Sequence, residues 1–387
     1  MQVLSTPQRS GLLRLCSFIL TMMFGVGIAA PILPLYASSL GASWTEIGLM
    51  GTSWGITTTL LAIVAGRVSD RFGRRPLLLA SAGLSAAASS LYLMSSTVPQ
   101  VILLRILEGV AWAFFWPTVE ALATEVVDPQ LAGRAMGFAT VSYAIAFGVS
   151  SLIGGSIASA LGYKSTFAVY LAFSVLSIII AALLREDPRR ASRKVDASDS
   201  KTDLTSSMSH EVVLAYTLGL TYTMGLGILL TFFSVFAKAI GATVFLIGIL
   251  FGFFWMGRII GSFGGGRLSD KYGRGLIAIG AMLGSTAGFM VIALANGIWG
   301  LLVGVIMAGL SIGAVFPVSV ALISDHINES VRGLAMGIFE TACGAGVMLG
   351  AAIGGLLADM YSPRSPYLMA ATVNLACAVL FAIRRAK

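Results

Sequence analysis

The sequence predicts an all-α polytopic membrane protein: twelve transmembrane helices in two pseudo-symmetric six-helix bundles, with the N- and C-termini cytoplasmic. Three observations carry that expectation. Of the 387 residues, 57% are hydrophobic and 11% charged, and the mean hydropathy is +0.90, whereas a soluble globular chain is about 25% charged. A single soluble core also stops growing at roughly 250–300 residues, so this much apolar sequence has to face lipid. Twelve segments come close to the ~20 apolar residues that a spanning helix needs. Lastly, the charged knot "GRVSDRFGRR" at 66–75 returns 200 residues later as "GRLSDKYGRG" at 266–275.

The first segment, 12–36, is too long for a signal peptide, lacks a small-residue cleavage pattern and precedes eleven more. Pro31 and Pro34 kink its far end, which is tolerated beside a cavity. Segments 44–66 and 76–95 flank the first knot. Its two glycines allow a tight turn and close helix approach. Its arginines hold the loop in the cytoplasm, and Asp70 is placed to face the positive N-terminus of another helix or an arginine. The fourth segment, 99–123, is the richest in charge. An Arg or Asp at the centre of a span costs about 2.5–3.5 kcal/mol, so such groups need partners or water. Arg105 and Glu108 share a helix face and can pair. Glu108, Trp112, Trp116 and Glu120 recur at intervals of four, forming a slowly drifting stripe. Segments 135–160 and 164–184 complete the first bundle, 1–184.

The stretch "REDPRRASRKVDASDSKTDLTSSMS" that follows is polar and Ser-rich with no hydrophobic period, so 185–210 reads as a flexible cytoplasmic linker. The second bundle, 211–387, holds segments 211–237, 243–266, 275–295, 297–322, 333–358 and 364–383. Its register matches the first at the same offset: Ile47-Gly48 with Ile247-Gly248, Pro117 with Pro317, Ala135-Met136-Gly137 with Ala335-Met336-Gly337, and Gly154-Gly155 with Gly354-Gly355. Five blocks in one register, the knots included, indicate two parallel six-span repeats. Arg258 and Glu340 each lie about 12 Å from the inner end of a span. A structural salt bridge between them is the expectation, with Glu340 as a lone protonatable site the alternative. Transferred by 200, the stripe becomes Ala308, Ile312, Phe316 and Val320, without charge. If both spans line one cavity, its acidic and greasy walls suit an amphipathic or apolar solute better than a sugar.

The net charge of +8 is topological. With alternating spans and a cytoplasmic N-terminus, the knots, Arg134, the cluster from Arg185 to Lys201, Arg332 and the C-terminal tail all lie inside, and only Lys164, Lys238 and Arg364 lie outside. That distribution argues against nucleic acid as a partner. Cys16, Cys343 and Cys377 are scattered, His210 and His326 fall in expected loops, and there is no phosphate-binding Gly-rich motif. No enzyme activity, metal or cofactor is therefore expected.

The two knots, the repeat and the tether resemble the major facilitator superfamily of secondary transporters over nearly the whole chain. The family's loop signature, approximately G-x-L-A-D-R-x-G-R-R, is matched at Gly66, Asp70, Arg71, Gly73, Arg74 and Arg75, and again at Gly266, Leu268, Asp270, Lys271, Gly273 and Arg274. The resemblance implies that these loops gate the cytoplasmic side, with Asp70 latching it across the halves. It implies that the first, fourth, seventh and tenth spans line a central cavity, which makes Trp112, Trp116, Tyr36, Tyr222, Phe232 and Phe316 the substrate-cavity candidates. Arg105 with Gly109 fits the fourth-span motif, and Glu108 stands where many members carry glutamine. The opening "APILPLYASSLGAS" resembles the twelve-span drug:proton antiporter group. The fifth-span antiporter motif G-x-x-x-G-P-x-x-G-G departs here to Ala146, Ser150 and Ser151 before Gly154-Gly155. Buried carboxylates are costly to ionise, which suits them to load and release protons. Glu108, held by Arg105, is the first coupling candidate, followed by Glu120 and Glu340, with Arg258 beside them. The expected function is proton-coupled export of a small amphipathic solute by a monomer in a plasma membrane, with lipid as the surrounding partner. An importer or facilitator of a small metabolite, and a non-transporting receptor or scaffold, remain as alternatives.

Overall fold

The computed structural model describes residues 6–128, 131–184, 209–327 and 332–385. Residues 185–208, nearly all of the expected linker, lie outside the described residues. The chain runs as helices α1 (Thr6–Ala29), α2 (Leu33–Ser39), α3 (Trp44–Phe72), α4 (Arg74–Met94), α5 (Val98–Glu125), α6 (Ala132–Leu161) and α7 (Tyr163–Ala182). It continues as α8 (His210–Ala239), α9 (Val244–Tyr272), α10 (Arg274–Leu294), α11 (Ile298–His326), α12 (Arg332–Met360) and α13 (Ser365–Arg385). Among the described residues there is no strand. With α1 and α2 taken as one broken span, eleven stretches of the described residues are long and apolar enough to cross a membrane.

Local chemistry sets the helix ends. Pro31 lies in the turn that separates α1 from α2, because proline cannot donate to the preceding turn. Ser43 and Glu46 form a reciprocal capping box that starts α3. Thr97 and Gln100 do the same for α5, and Thr243 caps α9. The α3–α4 and α9–α10 turns each pass through one glycine at positive φ, Gly73 at 93° and Gly273 at 91°, a conformation that side chains with a Cβ resist. His210 and His326 are the first residue of α8 and the last of α11, not loop residues as expected. Helix α8 begins one residue before the expected segment, and α11 runs about one turn past it.

The repeat is visible in the packing. In the first half α1 packs on α6 and α7, α5 on α3 and α4, and α4 on α7; in the second, α8 packs on α12 and α13, α11 on α9 and α10, and α10 on α13. The halves meet along α3 against α12 and α6 against α9. Small residues permit this. A Cβ on Gly48 would stand 2.6 Å from the Ala351 carbonyl oxygen, and one on Gly155 would stand 2.8 Å from the Cα of Gly248, so the backbones touch directly.

Among the described residues, hydrogen bonds between the halves gather at the end of the molecule remote from the two knots. There Asp359 of α12 accepts from the Trp44 and Thr45 amides at 3.1 and 2.8 Å and from the Thr45 hydroxyl at 2.6 Å. Lys238 at the end of α8 donates to the Tyr163 hydroxyl at 2.8 Å. At the knot end, the described bonds of Arg74 and Arg274 lie within each half. Arg74 reaches Glu125 at 2.8 Å and Ser69 at 2.6 Å. Its counterpart Arg274 reaches Asp325 at 3.2 Å and Ser269 at 2.7 Å.

Candidate functional site between the two halves

The drifting stripe on α5 divides into two environments. Each step of four residues turns about 40° past a full helical turn, so Glu108 and Glu120, three steps apart, point about 120° apart. Glu108 is 8% exposed and faces into the first half rather than the wall shared with the second. It accepts from Arg105 at 2.6 Å and from the Tyr92 hydroxyl of α4 at 3.0 Å, with Tyr170 of α7 also in contact. Arg105 lies 5.7 Å from the Trp54 ring on α3 and 3.5 Å from the Met50 carbonyl. The expected pair is present, but as a buried bracket of α3, α4, α5 and α7. The expected cavity-lining stripe is corrected at this residue.

Further along α5, aromatic rings form a ladder that crosses the molecule. Trp54 lies 5.7 Å from Trp112, which stacks on Trp116 at 6.1 Å with a 9° interplanar angle. Trp116 meets Tyr143 of α6 at 5.4 Å, and Tyr143 meets Trp255 of α9 at the same distance, edge to face. The guanidinium of Arg258 closes the second-half end, 4.9 Å from the Trp255 ring. Cation–π and edge-to-face geometry favour such an arrangement.

Glu120 is half-buried beside Trp116 and interacts electrostatically with Glu340 of the second half. Glu340 is exposed although it sits eight residues into α12, and Tyr222 and Cys343 lie within its reach. It therefore faces the gap between the halves. The expected Arg258–Glu340 salt bridge is not formed. The Arg258 backbone is pressed against Gly309 of α11, where an added Cβ would meet the Arg258 nitrogen at 3.3 Å, and its side chain lies along Trp255. Sequence reading missed that the ionisable group acting on Glu120 from the other half is Glu340.

The other cavity candidates separate by burial. Tyr36 is 5% exposed and its hydroxyl donates to the Ser95 carbonyl at 2.5 Å. Tyr222 is buried with its hydroxyl 3.8 Å from the Cys343 sulfur. Phe232 is fully buried, 6.2 Å from Trp44. These three are packing residues here. Trp112, Trp116 and Phe316 keep exposed surface. In the knots, Arg71 lies over Phe72 at 5.5 Å, and Asp270 pairs with Arg274 of its own loop rather than across the halves. Gly266 ends no helix and stands in open space. The surroundings of Gly66 and the side chain of Asp70 lie outside what is described. Glu125, Asp325, Tyr143 and Trp255 were not singled out from the sequence. For the first two a signal existed, since an acid recurs at the offset of 200 together with Ser69/Ser269 and Arg74/Arg274. A separate cavity of about 750 Å³ opens at the knot end of the second half, bordered by His210, Glu211, Leu214, Leu322 and Arg384, away from both carboxylates. Among the described residues no cluster of His, Cys, Asp and Glu has metal-binding geometry.

The pattern of the Major Facilitator Superfamily matches residues 15–261 and again 215–387, and the chain belongs to that family. An uncharacterized MFS-type transporter of Methanocaldococcus jannaschii is 26% identical over 375 residues, 94% of this chain and 95% of its own. The quinolone resistance protein NorA of Staphylococcus aureus is 21% identical over 378 residues, 95% of this chain and 94% of its own. Among solved structures, a mutant of the nucleoside transporter NupG superposes with a TM-score of 0.80 at 15% identity, covering 96% of this chain and 98% of that one. A bacterial homolog of the human lysosomal transporter Spinster superposes with a TM-score of 0.72 at 16% identity, covering 98% and 96%. The fold is thus that of MFS transporters.

Proposed function

We propose that this transporter exports small amphipathic solutes in exchange for protons, by alternating access, from a cell membrane in which it works as a monomer. In this reading it crosses the membrane twelve times, with both termini and both knots in the cytoplasm, as the distribution of Lys and Arg favours. The bundles 1–184 and 211–387 rock about the contacts of α3 with α12 and α6 with α9. The outer end, where Asp359 and Lys238 bridge the halves, is shut in this reading.

The observation that carries the reading is that Glu120 and Glu340, from opposite halves, lie near enough to interact electrostatically, beside an aromatic ladder that also joins the halves. Two carboxylates facing one gap repel, and either a proton or a cationic solute relieves them. Competition between the two is the physical basis of exchange. Trp112 and Trp116 in the first half and Phe316 in the second keep exposed surface, which supplies a face for the apolar part of the solute. The names of two relatives support export: NorA, and the multidrug resistance protein 1 of Bacillus subtilis, which is 25% identical over 224 residues, 57% of each chain.

The test is transport into proteoliposomes with an acidic lumen, using a quaternary ammonium dye whose fixed charge rules out acid trapping. Exchange predicts accumulation of the dye in the acidic compartment. Movement toward the alkaline side would establish symport, and indifference to pH would establish a facilitator; either would overturn export by proton exchange.

A further inference from the structure

We propose that Asp359 is the outer gate residue of this transporter, a carboxylate of the second half that caps helix α3 of the first half only while the outer side is shut. The first turn of a helix leaves its amides without intrahelical partners and carries partial positive charge. In α3 the Glu46 amide is satisfied locally by Ser43. The Trp44 and Thr45 amides are satisfied instead by the two oxygens of Asp359, 3.1 and 2.8 Å away, and the Thr45 hydroxyl adds a third bond at 2.6 Å. A side chain more than 300 positions away in sequence thus completes the cap. Close backbone contact below it makes the reach possible: a Cβ on Gly355 would stand 2.8 Å from the Trp44 carbonyl oxygen.

The device is specific to one seam. At the pseudo-symmetric seam of α6 with α9, the position equivalent to Asp359 is Ser159, and the amides equivalent to those of Trp44 and Thr45 belong to Val244 and Phe245. A serine hydroxyl offers one neutral oxygen where the carboxylate offers two charged ones, so it is the weaker partner for the positive end of a helix. Lys238 with Tyr163 bridges that seam instead. The duplication therefore did not supply the latch. When the outer ends part, the two amides and the carboxylate exchange one another for water, so the cap biases the equilibrium between the two states without touching solute.

The inference rests on the rocking proposed above, and the experiment separates the two. Spin labels at Ser96 and Trp299, on the outer ends of the two halves, report their separation in full-length protein whose three native cysteines have been replaced. In the parent, the short-distance population is expected to dominate. Asp359→Ala should lower the ratio of short to long distances roughly 5–30-fold, the factor that corresponds to about 1–2 kcal/mol. Thr45→Pro removes an amide and a hydroxyl at a first-turn position where proline is accepted, and should shift the ratio in the same direction from the other half. If both variants keep the parental distribution while acidification or dye still moves it, the latch is overturned and the rocking stands. If no condition moves the distance, both are overturned.

Discussion

Arg105 and Glu108 are three residues apart on one helix, so their contact needed nothing beyond helix geometry and was legible in the sequence. What they face was not, because a period of 3.6 fixes only relative directions along α5. Tyr92 and Tyr170 supply the rest of the site from helices that tertiary packing alone brings close. A bracket of this kind predicts a stability effect. Glu108→Leu leaves the guanidinium of Arg105 uncompensated and should cost about 3 kcal/mol, the low end for breaking a buried pair, because Arg105 keeps 23% of its side-chain surface exposed. The double variant Arg105→Met/Glu108→Leu should recover most of that loss in thermal unfolding. Equal losses in single and double variants would count against the bracket. Arg258 teaches the converse. Equal depth in the membrane suggested a bond to Glu340, but depth places a residue on a level and not on a bearing.

At the scale of helices, the boundaries followed from caps and breakers that the sequence displays: Ser43 with Glu46, Pro31, Gly73 and Gly273. Seams between helices were partly legible, since Ile47-Gly48 and Gly154-Gly155 recur with the repeat, and the structure uses Gly48, Gly155, Gly248 and Gly355 where backbones touch. Gly248→Ala places a methyl group 2.7 Å from the Ser151 carbonyl oxygen. It is expected to wedge α6 from α9 at a cost of roughly 1–3 kcal/mol, raising thiol labelling of an engineered outer cysteine such as Ser96→Cys. Unchanged labelling would show that the seam does not control access. The knot arginines were read as topological and gating groups, and the structure adds that each ties its loop to the end of a helix in the same half. With side chains 26% and 48% exposed, the Arg274–Asp325 pair is solvent-screened, and Asp325→Asn should change thermal stability by no more than about 1 kcal/mol.

At the scale of the whole molecule, a decapeptide repeated at an offset of 200 forecast that the same helix pairs would pack in each half, and the contacts of α1 to α7 recur in α8 to α13. The repeat could not forecast the features in which the halves differ, and those are the ones that the proposed cycle uses. Glu120 has no acidic twin on α11, Glu340 has none on α6, and Asp359 has only Ser159 as its counterpart. Each is a single residue whose partner lies in the other half, beyond the reach of any local pattern. The central claim is that Glu120 and Glu340 together carry the exchangeable proton, while Glu108 is a bracket. Proton release when a quaternary ammonium dye binds, followed with a pH indicator in weakly buffered detergent solution, tests it most directly. The account predicts release from the parent protein and from a folded Glu108→Gln variant, and none from Glu120→Gln/Glu340→Gln. Undiminished release from the double variant, or its loss in Glu108→Gln alone, would contradict it.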